Sequence, residues 1–259
     1  EKMGTFENAN TSFHQAARCK RYTNEVLAFS MVKEEELLRA TEEIQNLTYR
    51  QGEYKIFKVF EPKERLIMAL PFYDRVVQHM ICNAIQPVFE NGFYYHSYAC
   101  RSGKGMHAAS DTLYQWMYET EVKQGLRMYA FKGDISKYFA SIPHDKLKDE
   151  NRRYIGDKKA LMLMDDIIDH NGILPDGVGI PVGNLTSQLF ANVYGNKLDK
   201  FCKHVLHIPY FVRYMDDFII LSDDLEQLKE WVKRIEEFLE NEMLLHINPK
   251  STILYAGNA

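Results

Sequence analysis

Three carboxylates in this chain have the types and spacing to do chemistry together. Tyr214-Met215-Asp216-Asp217 sets two of them side by side between apolar or aromatic runs, Ile208 to Val212 and Phe218 to Leu221. Ionised about 4 Å apart, they would repel by about 4 kcal/mol at an effective dielectric of about 20, which makes them poor material for a core hairpin. A bound divalent cation removes that penalty; a solvated two-residue turn, which Asp also favours, is the plainer alternative. Asp134 supplies a third carboxylate, closing another β-like run, Met128-Tyr129-Ala130-Phe131-Lys132-Gly133. Metal-assisted phosphoryl transfer needs such a set: two hard cations, oxygen ligands from separate strands, and an open face for phosphates.

The elements that must hold these groups are legible from periodicity. From Met128 the order reads strand 128–134, helices near 145–155, 159–171 and 186–206, a hairpin at 209–222, a helix at 225–243 and a strand near 252–256. Without the extra helices this is βαββαβ, an α+β, ferredoxin-like antiparallel sheet with packed helices. Upstream, Glu34 opens a helix reaching about Gln45, and Tyr54 to Phe60 alternates as a strand with Arg65 to Leu70 as its partner. Val76, Val77, Met80, Ile81, Ala84, Ile85 and Val88 have helical spacing within Asp74 to Phe89. Another helix is expected over Met106 to Lys123, led in by Ser102-Gly103-Lys104-Gly105.

A chain of 259 residues fits one large domain or two intimately packed subdomains. Hydrophobic content of 46% with 26% charged residues is that of a soluble globular protein. No run approaches the roughly 18 apolar residues of a membrane span. Glu1-Lys2-Met3-Gly4 leads into polar residues rather than a signal-peptide pattern, so the expectation is a cytoplasmic protein with no membrane partner. Cys19, Cys82, Cys100 and Cys202 lie far apart and read as reduced thiols, neither a disulfide framework nor a zinc site. His204 and His207 have no Cys or carboxylate partner in sequence and read as helix-end residues. The net charge of −4 is awkward for a nucleic-acid binder, but it is unevenly placed. Residues 1–137 carry 18 Lys and Arg against 17 Asp and Glu, a net +1, and residues 138–259 carry 14 against 19, a net −5. Phosphate contacts are therefore expected mainly from the first half.

From about Lys55 to about Leu254 the chain resembles a reverse transcriptase, with its motifs in order. A fingers-like stretch reads Lys63-Glu64-Arg65-Leu66-Ile67, Leu70-Pro71 and Asp74-Arg75-Val76-Val77-Gln78, followed by Ser97-Tyr98-Ala99-Cys100-Arg101-Ser102-Gly103-Lys104-Gly105. Four palm motifs match Asp134 to Ile142, Gly179 to Gln188, the Tyr-Met-Asp-Asp turn, and Asn248-Pro249-Lys250-Ser251-Thr252. The resemblance implies a right-hand polymerase, with residues 1–127 as N-terminal extension and fingers and 128–259 as palm. It further implies that a primer grip and helical thumb would follow, so the chain reads as a fingers–palm fragment of a longer protein.

The resemblance assigns roles residue by residue. Asp134, Asp216 and Asp217 would be the carboxylates that bind two Mg2+ ions, with Mn2+ as a substitute, joined by the backbone carbonyl of Ile135. Lys250 resembles a general acid for pyrophosphate, against the reading of a solvated loop lysine. Lys63 and Arg65 would grip the incoming triphosphate, against ion pairs with Glu61 or Glu64. Phe139, five residues after Asp134, stands where the family carries the ring that crowds the sugar 2′ position, with Tyr138 as its rival. Gly183 would allow close approach of the nascent base pair, with Val182 and Gln188 beside the nucleotide. Asn184, Thr186 and Ser187 would cap the following helix or reach the template. Arg101, Lys104, Tyr214 and Met215 complete the template and primer side, and Arg213 is either a further such contact or structural. Val182 departs from most retroviral and group II intron enzymes, which have Gln before this glycine.

The strings around Gly183 and Gly103 are most similar to bacterial retroelement enzymes, diversity-generating or group II intron-like. The implied partners are an RNA template, a DNA or RNA primer, deoxynucleoside triphosphates and an accessory protein of the retroelement, in a bacterial cytoplasm. Defence- or CRISPR-associated reverse transcriptases, and a catalytically weak nucleic-acid-binding palm, are the alternatives. A nuclease or cyclase on a ferredoxin-like palm would also use paired carboxylates, but the fingers-like region argues against it.

Overall fold

The computed structural model describes residues 2–60 and 64–256. In chain order its elements begin with α1 (Phe6–Ala16), α2 (Asn24–Met31), α3 (Lys33–Asn46), β1 (Lys55–Phe60), β2 (Glu64–Ala69) and α4 (Phe72–Glu90). There follow α5 (Met106–Met117), β3 (Tyr129–Asp134), α6 (Tyr138–Ser141), α7 (His144–Tyr154), α8 (Lys158–Asp169) and α9 (Leu185–Lys200). The last are β4 (Tyr210–Tyr214), β5 (Asp217–Ser222), α10 (Leu225–Phe238) and β6 (Thr252–Tyr255). These form two compact units, Glu1–Gly92 with Leu147–Phe190, and Phe93–Lys146 with Ala191–Ala259. The boundary expected at 127/128 falls inside the second unit, because α5 packs Leu113, Trp116 and Met117 onto Met128, Ala130 and Leu221 there. Among the described residues no helix is long and apolar enough to cross a membrane.

Helices dominate the first unit. Thr5 caps α1 by accepting from the Asn8 N–H, and Ala9, Phe13 and Ala16 turn inward at helical spacing. The Phe13 ring stacks on Phe29, and both meet Phe72 edge-on. The sequence reading placed nothing before Glu34, so α1 and α2 are additions. Both are short, 11 and 8 residues, and polar side chains share the α1–α4 contact with Phe13 and Phe72. The Asn8 amide donates to the Met80 carbonyl at 2.9 Å, and Asn83 donates to Asn8 Oδ1 and Ser12 Oγ, both at 3.1 Å. Strands β1 and β2 pair as the expected antiparallel hairpin, Phe57 opposite Ile67. Asp157 caps α8 by accepting from the Ala160 N–H.

A four-stranded antiparallel sheet in the order β4-β5-β3-β6 organises the second unit. The first and third strands of the set lie together at its centre, which is the ferredoxin-like order expected from βαββαβ. Leu228, Trp231 and Ile235 form the buried stripe of α10, which packs on β3 and β5. Asp224 caps that helix, accepting from Glu226 and Gln227 N–H. Helices α5, α9 and α10 each run on through a π-helical turn, Tyr118–Val122, Phe201–Val205 and Leu239–Met243. Those turns carry them to the ends that periodicity had predicted.

Gly133 is the tightest point of this sheet. It lies opposite Phe218, and a Cβ added there would sit 2.4 Å from that ring. Phe218 is itself 1% exposed, with Phe131 and Phe211 as ring neighbours. Gly133→Ala is therefore expected to cost about 1–3 kcal/mol, the usual scale of overpacking. Urea unfolding checks it; an unchanged midpoint would mean that the ring moves aside freely.

Candidate active site

In the second unit the ladder brings two of the carboxylates together. Asp134 ends β3 directly opposite Asp217, the first residue of β5, and Asp217 also faces Tyr214 of β4. Met215 and Asp216 are thus the two central residues of a tight hairpin. Met215 has φ 60° while Asp216 has no positive φ, the pattern of a type II′ turn, whose first central position normally holds glycine. The Ile135 N–H donates to the Asp216 carbonyl at 3.1 Å, tying the turn to the chain just past Asp134.

Asp134 is held by a loop 114 residues away. Its carboxylate accepts from the Asn248 amide at 2.7 Å, and its carbonyl accepts from the Asn248 N–H at 2.7 Å. The Asp134 N–H donates to Ser251 Oγ at 3.1 Å. In the sequence, membership of the fourth palm-like motif is the one signal that marks Asn248 and Ser251. Lys250, between them, is exposed, and its N–H donates to Asn248 Oδ1 at 3.1 Å.

The donors suit a hard cation: carboxylate oxygens on adjacent strands, with the Asp217 side chain exposed and Asp134 and Asp216 half-buried. Among the described residues no three His, Cys, Asp or Glu side chains converge closely enough to cage a metal ion. Magnesium is usually held by one or two carboxylates plus substrate phosphates, and a pair rather than a cage fits that mode.

The two adjacent rings of the first palm-like motif are separated by burial. Tyr138 is 2% exposed, its hydroxyl donates to the Ala191 carbonyl at 2.7 Å, and burial pushes that hydroxyl's pKa up. Phe139 is half-buried. Met215 is buried and Tyr214 half-buried beside Tyr98, Ala109 and Val212. Arg213 takes its structural alternative: it is fully buried and forks onto Asp199 at 2.6 and 2.8 Å. Arg101 donates to the carbonyls of Tyr94 and Ser97, both at 2.7 Å, and lies over the Phe93 ring. Lys104 donates to the Tyr95 carbonyl at 3.0 Å and sits over the Tyr95 ring. Both cations expected on the template thus have local partners.

The first unit gathers the second palm-like motif. The Met68 N–H of β2 donates to the Val182 carbonyl at 3.2 Å, which docks the loop on the hairpin. Gly183 has φ 113° and is exposed, and a Cβ there would lie 3.2 Å from Ile67. Asn184, just before α9, is 4% exposed, and its amide N–H donates to the Tyr54 hydroxyl at 3.1 Å. Burial pushes the Tyr54 hydroxyl up to about 12, and that hydroxyl donates onward to the His170 carbonyl at 2.9 Å. Gln78, 1% exposed, accepts from the Leu185 N–H at 3.1 Å and so fixes the start of α9. Thr186 and Ser187 are buried within α9 rather than capping it, and Gln188 is half-buried.

Lys63 lies outside the described residues. Arg65 is described only by its strand pairing with Val59. Glu64, one alternative partner for these cations, pairs with Lys58 at 2.6 Å. A groove of about 650 Å³ in this unit is lined by Lys20, Lys55, Ile67, Arg75, Gly183 and Asn184 among others, with Glu25 and Glu53. Lys20 and Lys55 carry no sequence pattern, while Arg75 belongs to the fingers-like stretch Asp74 to Gln78 and pairs with Glu25.

The family described as Reverse transcriptase (RNA-dependent DNA polymerase) matches residues 58–256. Protein YkfC of Escherichia coli (strain K12) is 28% identical over 134 residues, 49% of this chain and 34% of its own length. An uncharacterized 91 kDa protein in the cob intron of Schizosaccharomyces pombe is 29% identical over 137 residues, 51% of this chain and 16% of its own length. The chain thus matches about a third or less of the length of these relatives. Telomerase from Candida tropicalis, in complex with a TWJ fragment of telomeric RNA, superposes with a TM-score of 0.60 at 11% identity, covering 83% of this chain and 44% of that one. Apo telomerase from the same organism gives 0.59 at 12% identity, covering 79% and 44%. At these identities the likeness carries the fold, that of right-hand polymerases.

Proposed function

The chain belongs to the reverse transcriptase family, and from that premise we propose that its protein copies RNA into cDNA by two-metal nucleotidyl transfer. The observation that carries this reading is the pairing of Asp134 with Asp217 across the β3/β5 ladder, beside Asp216 in its strained turn. Bound divalent ions, magnesium in our reading, would make the primer 3′-hydroxyl a better nucleophile and stabilise the leaving pyrophosphate.

The chain's own residues do the holding. Asp134, Asp216 and Asp217 present the hard oxygens, with the Ile135 carbonyl as a further donor. Asn248 and Ser251 fix Asp134, so its carboxylate is oriented before any ligand arrives. Lys250 is the candidate proton donor to pyrophosphate, and Lys63 and Arg65 the candidate triphosphate grip. Lys20 and Lys55 line a groove in which Arg75 pairs with Glu25, and we read those two lysines as contacts for a template phosphate backbone. Template, primer and deoxynucleoside triphosphates are the proposed partners, with an accessory protein where the element encodes one.

As to type, we favour a bacterial retroelement enzyme, diversity-generating or group II intron-like. The strings around Gly183 and Gly103 support that, as does a relative whose name places it in an intron. The test is primer extension by the full-length protein on an RNA template with a DNA primer and Mg2+. Incorporation of deoxynucleotides opposite RNA is the expected result, and its absence in a folded protein overturns the reading.

Val182 bears on fidelity. Its carbonyl is held by Met68, while its half-buried side chain offers only apolar contact. Gln there could hydrogen-bond a correctly aligned nucleotide, and each 1.4 kcal/mol of added discrimination is about tenfold in error rate. Val182→Gln is therefore expected to lower misincorporation several-fold, read from error spectra on one RNA template. An equal or higher error rate in a well-folded, active variant counts against the role.

A further inference from the structure

We propose that the buried Arg213–Asp199 pair is a positioning device that sets the peptide between Met215 and Asp216, and through it the Asp216 carboxylate. The inference rests on the reading of Asp216 as a site carboxylate. Arg213 is the residue just before the turn, on β4, and neither it nor Asp199 has any exposure. Its Nε donates to Asp199 Oδ1 at 2.6 Å, and Nη2 donates to Asp199 Oδ2 at 2.8 Å. The other donors are shared out: Nη2 to Ser97 Oγ at 3.1 Å, and Nη1 to Asn192 Oδ1 at 3.4 Å. The decisive one is Nη1 to the Met215 carbonyl at 2.9 Å.

That carbonyl belongs to the peptide whose N–H is that of Asp216. Its orientation is the one a residue other than glycine resists at φ 60°, so the turn needs an outside hold. The guanidinium is itself immobilised. Asp199 grips it bidentately, and the Arg213 backbone is stapled by donating to the His96 carbonyl at 3.0 Å while accepting from Tyr98 at 2.9 Å. Gly195 makes the room: a Cβ there would lie 2.6 Å from Nη1 and 2.9 Å from the Tyr138 hydroxyl. A buried ion pair is a poor stabiliser, since apolar residues of the same shape often do as well or better. What apolar residues cannot supply is a donor aimed at the Met215 carbonyl. Lysine would keep the charge but not the planar fork that serves Asp199 and the turn at once.

The test uses the full-length protein with Arg213→Lys and with the double variant Arg213→Met/Asp199→Leu, which removes both charges together. Melting is measured, then primer-extension kcat and KM, and Mn2+ binding without nucleotide by electron paramagnetic resonance. The expected result is kcat lowered ten- to hundredfold, nucleotide KM changed less than threefold, and Mn2+ affinity weakened several-fold, with melting close to the parent. If the double variant does not fold, Arg213→Lys carries the same readouts. Unchanged kcat and Mn2+ affinity in a folded variant overturn the inference. Asp216→Asn runs in parallel: if that variant is inactive while the Arg213 variants behave as the parent, the positioning idea alone fails. If Asp216→Asn stays active, the reading of the site fails with it.

Discussion

Replacing Asp216 by Asn in the full-length protein should abolish nucleotide addition, by about three orders of magnitude or about 4 kcal/mol of transition-state stabilisation, without unfolding it. Asn keeps the shape of the side chain, removes its charge and turns one acceptor oxygen into an N–H donor. The backbone tie from Ile135 to the Asp216 carbonyl does not depend on that charge. In the metal-free protein the two adjacent carboxylates repel, so neutralising one should leave the melting temperature unchanged or slightly raised. Loss of activity with retained or raised stability would mark a group whose charge serves a ligand rather than packing. Near-normal cDNA synthesis by a folded variant would sink the metal-ligand assignment.

The second large effect is expected at Phe139. Its neighbour Tyr138 is committed to the core through the Ala191 carbonyl, whereas the Phe139 ring is half-buried and beyond the left-handed Lys137, φ 48°. A ring that crowds the sugar 2′ position rejects ribonucleotides sterically, because the 2′-hydroxyl is what tells the two precursors apart. Phe139→Ala should therefore lower the preference for deoxy- over ribonucleotides by about a hundredfold, or about 2.7 kcal/mol. The measurement is the ratio of kcat/KM values for the two precursors on the same primer-template. A ratio that does not fall would make Phe139 a packing residue. Tyr138→Ala is the contrasting variant: it opens a core cavity and should destabilise by about 3 kcal/mol or more.

Much of the architecture was legible beforehand for a local reason. Alternation along Tyr54 to Phe60, helical spacing from Val76 to Val88, and carboxylates between two β-rich runs are all read within one element's length. The βαββαβ order follows from those elements taken in sequence, and the sheet order β4-β5-β3-β6 agrees with it. Less legible were α1 and α2, only 11 and 8 residues long, with asparagine and serine side chains among the α1–α4 contacts.

The site divides along the same line. Residue types and spacing alone determined that Asp134, Asp216 and Asp217 are the candidate carboxylates, because two adjacent acids in a tight hairpin need a cation or water to be tolerable. Only the tertiary structure decided which neighbours hold them. Asn248 reaches Asp134 across 114 residues, Gln78 reaches Leu185 across 107, and Arg213 meets Asp199 in a site without solvent. In sequence a lone arginine or asparagine reads as surface, since such residues are rarely buried without a partner. The partner is chosen by register and by the direction of each side chain, and shifting a strand by one residue would turn every side chain to the other face.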